Sequence, residues 1–302
     1  MRKNRLGQSE LLAGEIGLGC MSLGTDRGKA IALIHEALDN GVNFLDTADL
    51  YDDGLSEEIV GEAIKGKRRE DIILATKVGN RRIPGQEGWV WDPSKAYILS
   101  SVKGSLKRLG VDYIDLYQLH GGTLDDPIDE TIEAFEQLKQ EGVIRHYGIS
   151  SIRPNVIREY AARSGMVSVM SQYSLLDRRP EETVLPLLAQ AEIGLIARGP
   201  VAKGVLTGNG AQKAVKGYLD YNPEELADLH RKLLELADGR DLAQLAIRYT
   251  LADPTVAVAI PGASSREQLL GNIEAAHSPA LTEAELSALR ALTRPNRYEQ
   301  HR

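Results

Sequence analysis

The fold is decided by the stretch Phe44-Leu45-Asp46-Thr47-Ala48-Asp49-Leu50-Tyr51. Its apolar beginning, together with Val42, predicts a buried strand that ends where the polar residues begin. Two later apolar runs end in the same way, one at Lys77 and the other at His120. An acid, a phenol, an amine and an imidazole therefore stand at the ends of three successive predicted strands.

Strand and helix patterns alternate along the rest of the chain without a change of period or composition. This alternation predicts a single domain over residues 1–302, an α/β fold of the (β/α)8 TIM barrel type. An N-terminal β-hairpin and extra helices near the C-terminus complete the prediction, and an open doubly wound sheet is the alternative. The predicted barrel strands are 16–20, 42–45, 72–77, 113–119, 144–149, 167–172, 193–197 and 256–260.

Composition favours a protein that acts on small molecules. The chain has 302 residues, a net charge of -7 and no long basic run, which argues against nucleic acid or an anionic membrane as a partner. No apolar run approaches the roughly 20 residues of a membrane span, so we expect a cytoplasmic protein. Cys20 is the only cysteine, which excludes an intrachain disulfide and fits a reducing compartment.

The polar strand ends predict a catalytic site. All strands of a (β/α)8 barrel point their carboxyl ends at one face, so Asp46, Lys77 and His120 should converge, with Tyr51 folded over them. Asp46 would keep Lys77 charged, and Lys77 would lower the pKa of the Tyr51 phenol from about 10. His120 would orient a substrate oxygen. This arrangement suits protonation of a carbonyl oxygen while hydride reaches its carbon, and because no side chain donates hydride, a nicotinamide cofactor is implied.

Other uses of these residues remain open from the sequence alone. Lys77 could form the Schiff base of an aldolase on the same barrel, although Tyr51 and His120 would then have no role. His120 with Asp46 and Asp49 is a weak metal signal, so the sequence predicts no metal site.

Two connections exceed the usual length, and both follow strands on the predicted catalytic face. They are residues 79–93, which contain Trp89 and Trp91, and residues 199–222. We expect both to shape the pocket, with the two tryptophans lining its substrate side.

The motifs resemble those of the aldo-keto reductases over essentially the whole chain. Asp46 to Tyr51, with Gly54, Ser56-Glu57 and Gly61, is similar to the family's best-known signature. Thr76-Lys77, Leu119-His120 and Gly204-Val205-Leu206-Thr207-Gly208 follow in the family's order. The resemblance implies a (β/α)8 barrel, NADPH or NADP+ as cofactor, and reduction of aldehydes or ketones by the tetrad Asp46, Tyr51, Lys77 and His120.

The resemblance also implies how the cofactor is held. Ser150 and Ser151 stand where the family binds the carboxamide, and Gln172 carries an amide that the family usually has at the place of Met170. Arg198 replaces an aromatic residue that stacks on the nicotinamide; a guanidinium can lie on the ring but is repelled by its oxidised, cationic form. The implied contacts are Gly19, Cys20, Met21, Ser150, Ser151, Gln172, Arg198, Gly199, Pro200, Val201, Lys203, Gly204, Gly262, Ser264, Arg266, Gln268 and Asn272.

Together these patterns predict an NADPH-dependent oxidoreductase that takes its proton from Tyr51 and acts on a small carbonyl substrate. The alternative is a regulatory protein that binds NADP(H) on the same barrel without catalysis.

Overall fold

Eight parallel strands form the central sheet of the computed structural model, which describes residues 1–83, 85, 87–237 and 239–302. The strands of the chain are β1 (Lys3–Arg5), β2 (Leu12–Gly14), β3 (Leu18–Gly19), β4 (Phe44–Asp46), β5 (Ile73–Val78), β6 (Asn80–Arg81), β7 (Val90–Trp91), β8 (Ile114–Leu119), β9 (Ile144–Ser150), β10 (Ser168–Gln172), β11 (Gly194–Arg198) and β12 (Val256–Ile260). The central sheet has the order β12-β11-β10-β9-β8-β5-β4-β3.

Helices separate the sheet strands and pack around them. They are α1 (Arg27–Asp39), α2 (Leu55–Ile64), α3 (Lys95–Leu109), α4 (Ile128–Gln140), α5 (Pro154–Arg163), α6 (Val184–Gln190), α7 (Gly210–Lys213), α8 (Pro223–Ala237), α9 (Leu242–Thr250), α10 (Arg266–Glu274) and α11 (Glu283–Leu292). Several begin at residues whose side chains cap the helix. Ser94 caps α3 and Asp241 caps α9, each accepting a hydrogen bond from a backbone N–H of the first turn.

The two edges of the sheet meet and close it. The Gly17 N–H donates to the Ala259 carbonyl at 2.9 Å, and the Ala259 N–H donates to the Glu15 carbonyl at 2.9 Å. These bonds join the segment that leads into β3 to β12. The predicted (β/α)8 barrel is therefore confirmed, and the open doubly wound alternative is excluded, because an open sheet leaves its edges apart.

The N-terminal hairpin of β1 and β2 covers one end of the barrel. Leu6, at its turn, is completely buried among side chains of the barrel interior that include Phe44 and Leu116. The Asn4 amide also donates to the Ala257 carbonyl at 3.0 Å. The hairpin thus closes the amino-terminal end of the barrel, opposite the carboxyl ends of the strands.

The two long connections contain short elements that the sequence did not predict. The segment after β5 folds into the hairpin β6–β7, in which Asn80 pairs with Trp91, and the segment after β11 contains α7. The extra helices expected near the C-terminus are present as α8 and α11. Among the helices of the described residues, none has the length and apolar character needed to cross a membrane.

Replacing Leu6 by alanine should destabilise the barrel. The change leaves a cavity in a fully buried contact, so we expect the free energy of unfolding to fall by about 2–5 kcal/mol. Urea unfolding followed by circular dichroism measures this. Leu12→Ala, on the same hairpin but 48% exposed, is the control and should change stability by less than about 0.5 kcal/mol. Equal effects of the two variants would contradict the closing role of Leu6.

Candidate active site

The structure brings together the four residues predicted to form the tetrad. Asp46 is the last residue of β4, Lys77 lies near the end of β5, and His120 directly follows β8. These three strands are neighbours in the sheet. The Lys77 Nζ atom is 2.8 Å from Asp46 Oδ2 and 3.2 Å from the Tyr51 hydroxyl. The rings of Tyr51 and His120 meet edge to face, with their centroids 5.7 Å apart.

Lys77 has no free hydrogen-bond donor. Besides Asp46 and Tyr51, its ammonium donates to the Thr47 carbonyl at 2.6 Å, and the side chain is completely buried. An ammonium has three N–H donors, and all three are used here. Burial lowers the pKa of Lys77, but its electrostatic interactions with Asp46 and Tyr51 more than offset this and leave the pKa raised. A charged, enclosed amine cannot act as a nucleophile, which argues against the Schiff-base alternative.

A left-handed turn places Tyr51 over the strand ends. Asp52, Asp53 and Gly54 have φ of 48°, 56° and 89°, so the chain reverses directly after Tyr51 and then enters α2. Glycine is favoured at position 54 for a second reason, because a Cβ there would lie 2.7 Å from the Arg108 side chain and would force it to shift.

Glu57 ties the first turn of α2 to the barrel. Its carboxylate is completely buried, accepts a hydrogen bond from the Thr76 hydroxyl at 2.6 Å, and accepts another from the Arg108 Nε at 2.6 Å. Thr76 directly precedes Lys77, so this contact holds the segment that carries Tyr51 in register with the buried amine. The sequence pattern singled out Glu57 but did not indicate this role.

The prediction that Tyr51 has a lowered pKa is wrong for the protein alone. Burial raises the pKa of the phenol, Lys77 opposes this, and Asp46 adds to the rise, so the pKa lies above its usual value of 10. The sequence indicated the neighbouring ammonium but not how deeply the ring is buried. Tyr51 therefore holds its proton at neutral pH.

His120 is uncharged near neutrality. Burial, followed by the charges of Lys77 and Arg198, lowers its pKa to about 3. Its ring nitrogen Nδ1 is buried and has no hydrogen-bond partner among the described residues. A neutral imidazole can donate or accept a hydrogen bond with a ligand, but it is not an imidazolium that can give up a proton.

A large cavity of about 1270 Å³ extends from these residues across the carboxyl face. Asp46, Tyr51 and His120 reach its wall, and Lys77 lies behind them. Its size exceeds the roughly 300–1,000 Å³ typical of pockets for a single small ligand. The predicted cofactor contacts on the wall are Gly19, Met21, Ser150, Ser151, Gln172, Arg198, Gly199, Val201, Lys203, Gly204, Gly262, Ser264, Gln268 and Asn272.

Three predicted cofactor contacts are absent from the described cavity wall. Cys20 and Pro200 are buried, and burial raises the pKa of the Cys20 thiol far above its usual value. Arg266 instead forms a two-pronged ion pair with Glu36, at 2.9 and 3.1 Å. These residues adjoin wall residues in the chain but do not themselves line the described cavity.

Both predicted tryptophans line the cavity, in different ways. The Trp91 ring packs closely on two glycines: a Cβ would lie 2.6 Å from the ring at Gly79 and 3.1 Å from it at Gly121. The Trp91 Nε1 donates to Asp126 at 2.9 Å. Trp89 is 53% exposed. Trp91 is therefore the fixed part of this wall.

Gln172 and Arg198 are joined at the ends of neighbouring strands. Arg198 donates to the Gln172 side-chain oxygen at 3.0 Å, and the Gln172 amide donates to the Tyr218 hydroxyl at 2.8 Å. The sequence did not indicate Tyr218, or the wall residues Arg153 and Lys213. The available signals were weak: Arg153 lies just beyond a strand end, and the other two lie in a long connection.

Removing the buried cation should destabilise the protein. In Lys77→Met the carboxylate of Asp46 is left buried without its partner, so we expect the free energy of unfolding to fall by about 3–5 kcal/mol in urea titrations. The double variant Asp46→Asn with Lys77→Met removes both charges and should regain part of this loss. A single variant as stable as the unaltered protein would contradict a charged pair.

Comparison with known proteins places this site in a family. The model of the Aldo/keto reductase family matches residues 15–294. YqkF of Bacillus subtilis (strain 168), described as an uncharacterized oxidoreductase, is 58% identical over 307 residues, which cover 100% of each chain.

Solved structures agree with this match. The holo form of aldo-keto reductase AKR11C1 from Bacillus halodurans is 56% identical, with a TM-score of 0.96 over 100% of this chain and 99% of that one. The glycerol dehydrogenase AKR11B4 from Gluconobacter oxydans is 26% identical, with a TM-score of 0.86 over 99% and 98%. The chain is an oxidoreductase and belongs to the aldo/keto reductase family.

Proposed function

We propose that the protein reduces aldehydes or ketones to alcohols with NADPH, in the cytoplasm, and that Tyr51 supplies the proton. The observation that carries the proposal is the contact between the Tyr51 hydroxyl and the buried Lys77 ammonium at 3.2 Å. Family membership supports the reaction class. A relative from Gluconobacter oxydans is named a glycerol dehydrogenase, and oxidation of an alcohol is the same chemistry in reverse.

The raised pKa of Tyr51 suits an acid that must carry its proton until it reacts. At neutral pH the phenol is protonated. As negative charge develops on a carbonyl oxygen beside it, the hydroxyl donates its proton to that oxygen, because an alkoxide is the stronger base. Lys77 then stabilises the phenolate with its charge, and Asp46 keeps Lys77 in place.

His120 serves as an orienting group in this proposal. With a pKa of about 3 it has no imidazolium proton to give at neutral pH, so Tyr51 is the better acid. The neutral ring can hold the carbonyl oxygen toward the Tyr51 hydroxyl by a hydrogen bond. The two rings already lie edge to face at the cavity wall.

The cavity residues fit a dinucleotide. Lys203 and Lys213 have no carboxylate within 4.0 Å among the described residues, and the Lys213 ammonium lies so close over Gly204 that a Cβ there would be 2.5 Å away. Such free cations suit a pyrophosphate. At the other end, Gln268 and Asn272, one turn apart on α10, line the wall. When bound, NADPH would supply the hydride.

Arg198 is proposed to contact the nicotinamide. Its hydrogen bond to Gln172 holds the guanidinium at the cavity wall, where it can lie flat on a neutral ring. A cationic ring is repelled at the same place. This asymmetry favours binding of the reduced cofactor and release of the oxidised one.

A regulatory protein that binds NADP(H) without catalysis is the second candidate. It would need the cavity but not the tetrad geometry. The close contacts of Lys77 with Asp46 and Tyr51 favour the enzyme.

Replacing Tyr51 by phenylalanine tests the proposed function. With NADPH and 4-nitrobenzaldehyde, we expect the unaltered protein to consume NADPH, measured as the loss of the absorbance of the reduced nicotinamide. Tyr51→Phe should lower kcat by about 100-fold or more, because general acid catalysis is worth about 10²–10⁴-fold. NADPH binding, followed by protein fluorescence, should persist in the variant. An unaltered protein that binds NADPH but reduces no aldehyde would favour the regulatory candidate.

The pH dependence should differ between the two directions of the reaction. Reduction needs the phenol, whose pKa lies above 10, so kcat should stay level from about pH 6 to 9 and fall only at higher pH. Oxidation of the corresponding alcohol needs the phenolate, so its kcat should rise with pH across the same range. Initial rates in buffers of constant ionic strength measure both. A fall in reduction between pH 5 and 7 would point to an imidazole acid instead.

A further inference from the structure

Arg153 is a cation on the cavity wall that the proposed reaction does not use. It begins the turn into α5, two residues after Ser151, and its side chain is half-buried. The Nη1 atom donates to the Gly122 carbonyl at 2.7 Å. Gly122 stands two residues after His120, so the guanidinium is attached to the loop that carries the imidazole.

Trp91 lies against the same short loop. Its ring packs on Gly121, and its Nε1 is held by Asp126. An aromatic surface and a guanidinium thus adjoin consecutive residues of the segment that follows His120. A substrate with its carbonyl at His120 would have both within reach of its remaining part.

The charge of Arg153 is not neutralised within the described part of the chain, where no carboxylate lies within 4.0 Å of it. Asp126, on the neighbouring loop, is occupied by other donors. It accepts from Trp91 at 2.9 Å and from the Thr123 N–H and hydroxyl, each at 2.7 Å. Among the residues that the structure describes, none accepts from the remaining guanidinium donors of Arg153, and these donors are not enclosed.

The other cations on the described wall have different positions. Arg198 is bound to Gln172, and Lys203 and Lys213 belong to the connection after β11. Arg153 is therefore the cation attached to the His120 loop. When one nitrogen of a guanidinium is held, the other N–H groups can still bind a carboxylate with two parallel hydrogen bonds. The single positive charge of the guanidinium also matches the single negative charge of a carboxylate.

We propose that Arg153 binds a carboxylate on the substrate, so that the enzyme prefers aldehydes that carry an acid group beside an aromatic or similarly flat body. The inference rests on the proposed function, because it assigns a substrate class to that same site.

The experiment compares 4-carboxybenzaldehyde with its uncharged match, methyl 4-formylbenzoate, using NADPH. We expect kcat/KM of the unaltered enzyme to favour the acid by about 10-fold or more, since a hydrogen bond to a charged group has an effect of this size. Arg153→Gln should reduce the acid-to-ester ratio to about 1, mainly through KM for the acid. Arg153→Lys keeps the charge but loses the fork, and should give an intermediate ratio.

Arg158→Gln is the matched control. Arg158 lies exposed on α5, the helix that Arg153 precedes, and away from the described cavity wall, so its loss changes the net charge equally and should leave the ratio unchanged. A ratio near 1 in the unaltered enzyme, or one that Arg153→Gln does not alter, would overturn the proposal. An equal fall in Arg158→Gln would do the same, because it would show a long-range charge effect.

A binding measurement separates this proposal from the proposed function. Calorimetry with 4-(hydroxymethyl)benzoate and its methyl ester, in the presence of NADPH, reports anion preference without turnover. Preference for the anion that disappears in Arg153→Gln supports the assignment even if neither aldehyde is reduced, a result that would refute only the reductase. No preference for the anion would refute the role of Arg153 even in an active enzyme.

Discussion

The structure of the candidate site depends on the enclosure of one ammonium group. A buried lysine remains charged only if a counter-ion and enough acceptors surround it. For Lys77 these are a carboxylate from the neighbouring strand, a backbone carbonyl just beyond it and a phenol from the next turn. Each partner is placed by the barrel, because parallel strands end at the same level and adjacent strands lie about 4.8 Å apart. The contacts that keep Lys77 charged therefore also place its ammonium beside the Tyr51 hydroxyl.

A second level of contacts keeps this enclosure in register. Glu57 links α2 to Thr76 on the strand of Lys77, and Arg108 links the same carboxylate to the end of α3. The left-handed residues after Tyr51 are strained for any side chain except glycine, and such strain persists only where surrounding contacts determine the backbone. The buried Glu57 contacts supply that constraint.

The sequence predicted the barrel and the tetrad because both follow from regular patterns. Apolar runs that end in Asp46, Lys77 and His120 are local signals, and barrel geometry converts them into one site. The differences between prediction and structure concern properties that depend on distant parts of the chain. The burial that raises the pKa of Tyr51 comes from the packed site, and the capture of Arg266 by Glu36 joins residues 230 positions apart. The anchoring of Arg153 on Gly122 is equally invisible in a linear pattern.

The burial of Cys20 has a practical consequence. It is the only cysteine of the chain, it lies 3% exposed, and burial holds its thiol in the unreactive protonated form. A cysteine introduced at an exposed position would therefore be the single thiol open to a maleimide dye or spin label, without prior removal of a native one. The long connection after β11 could be labelled in this way, and its position with and without cofactor compared directly in solution.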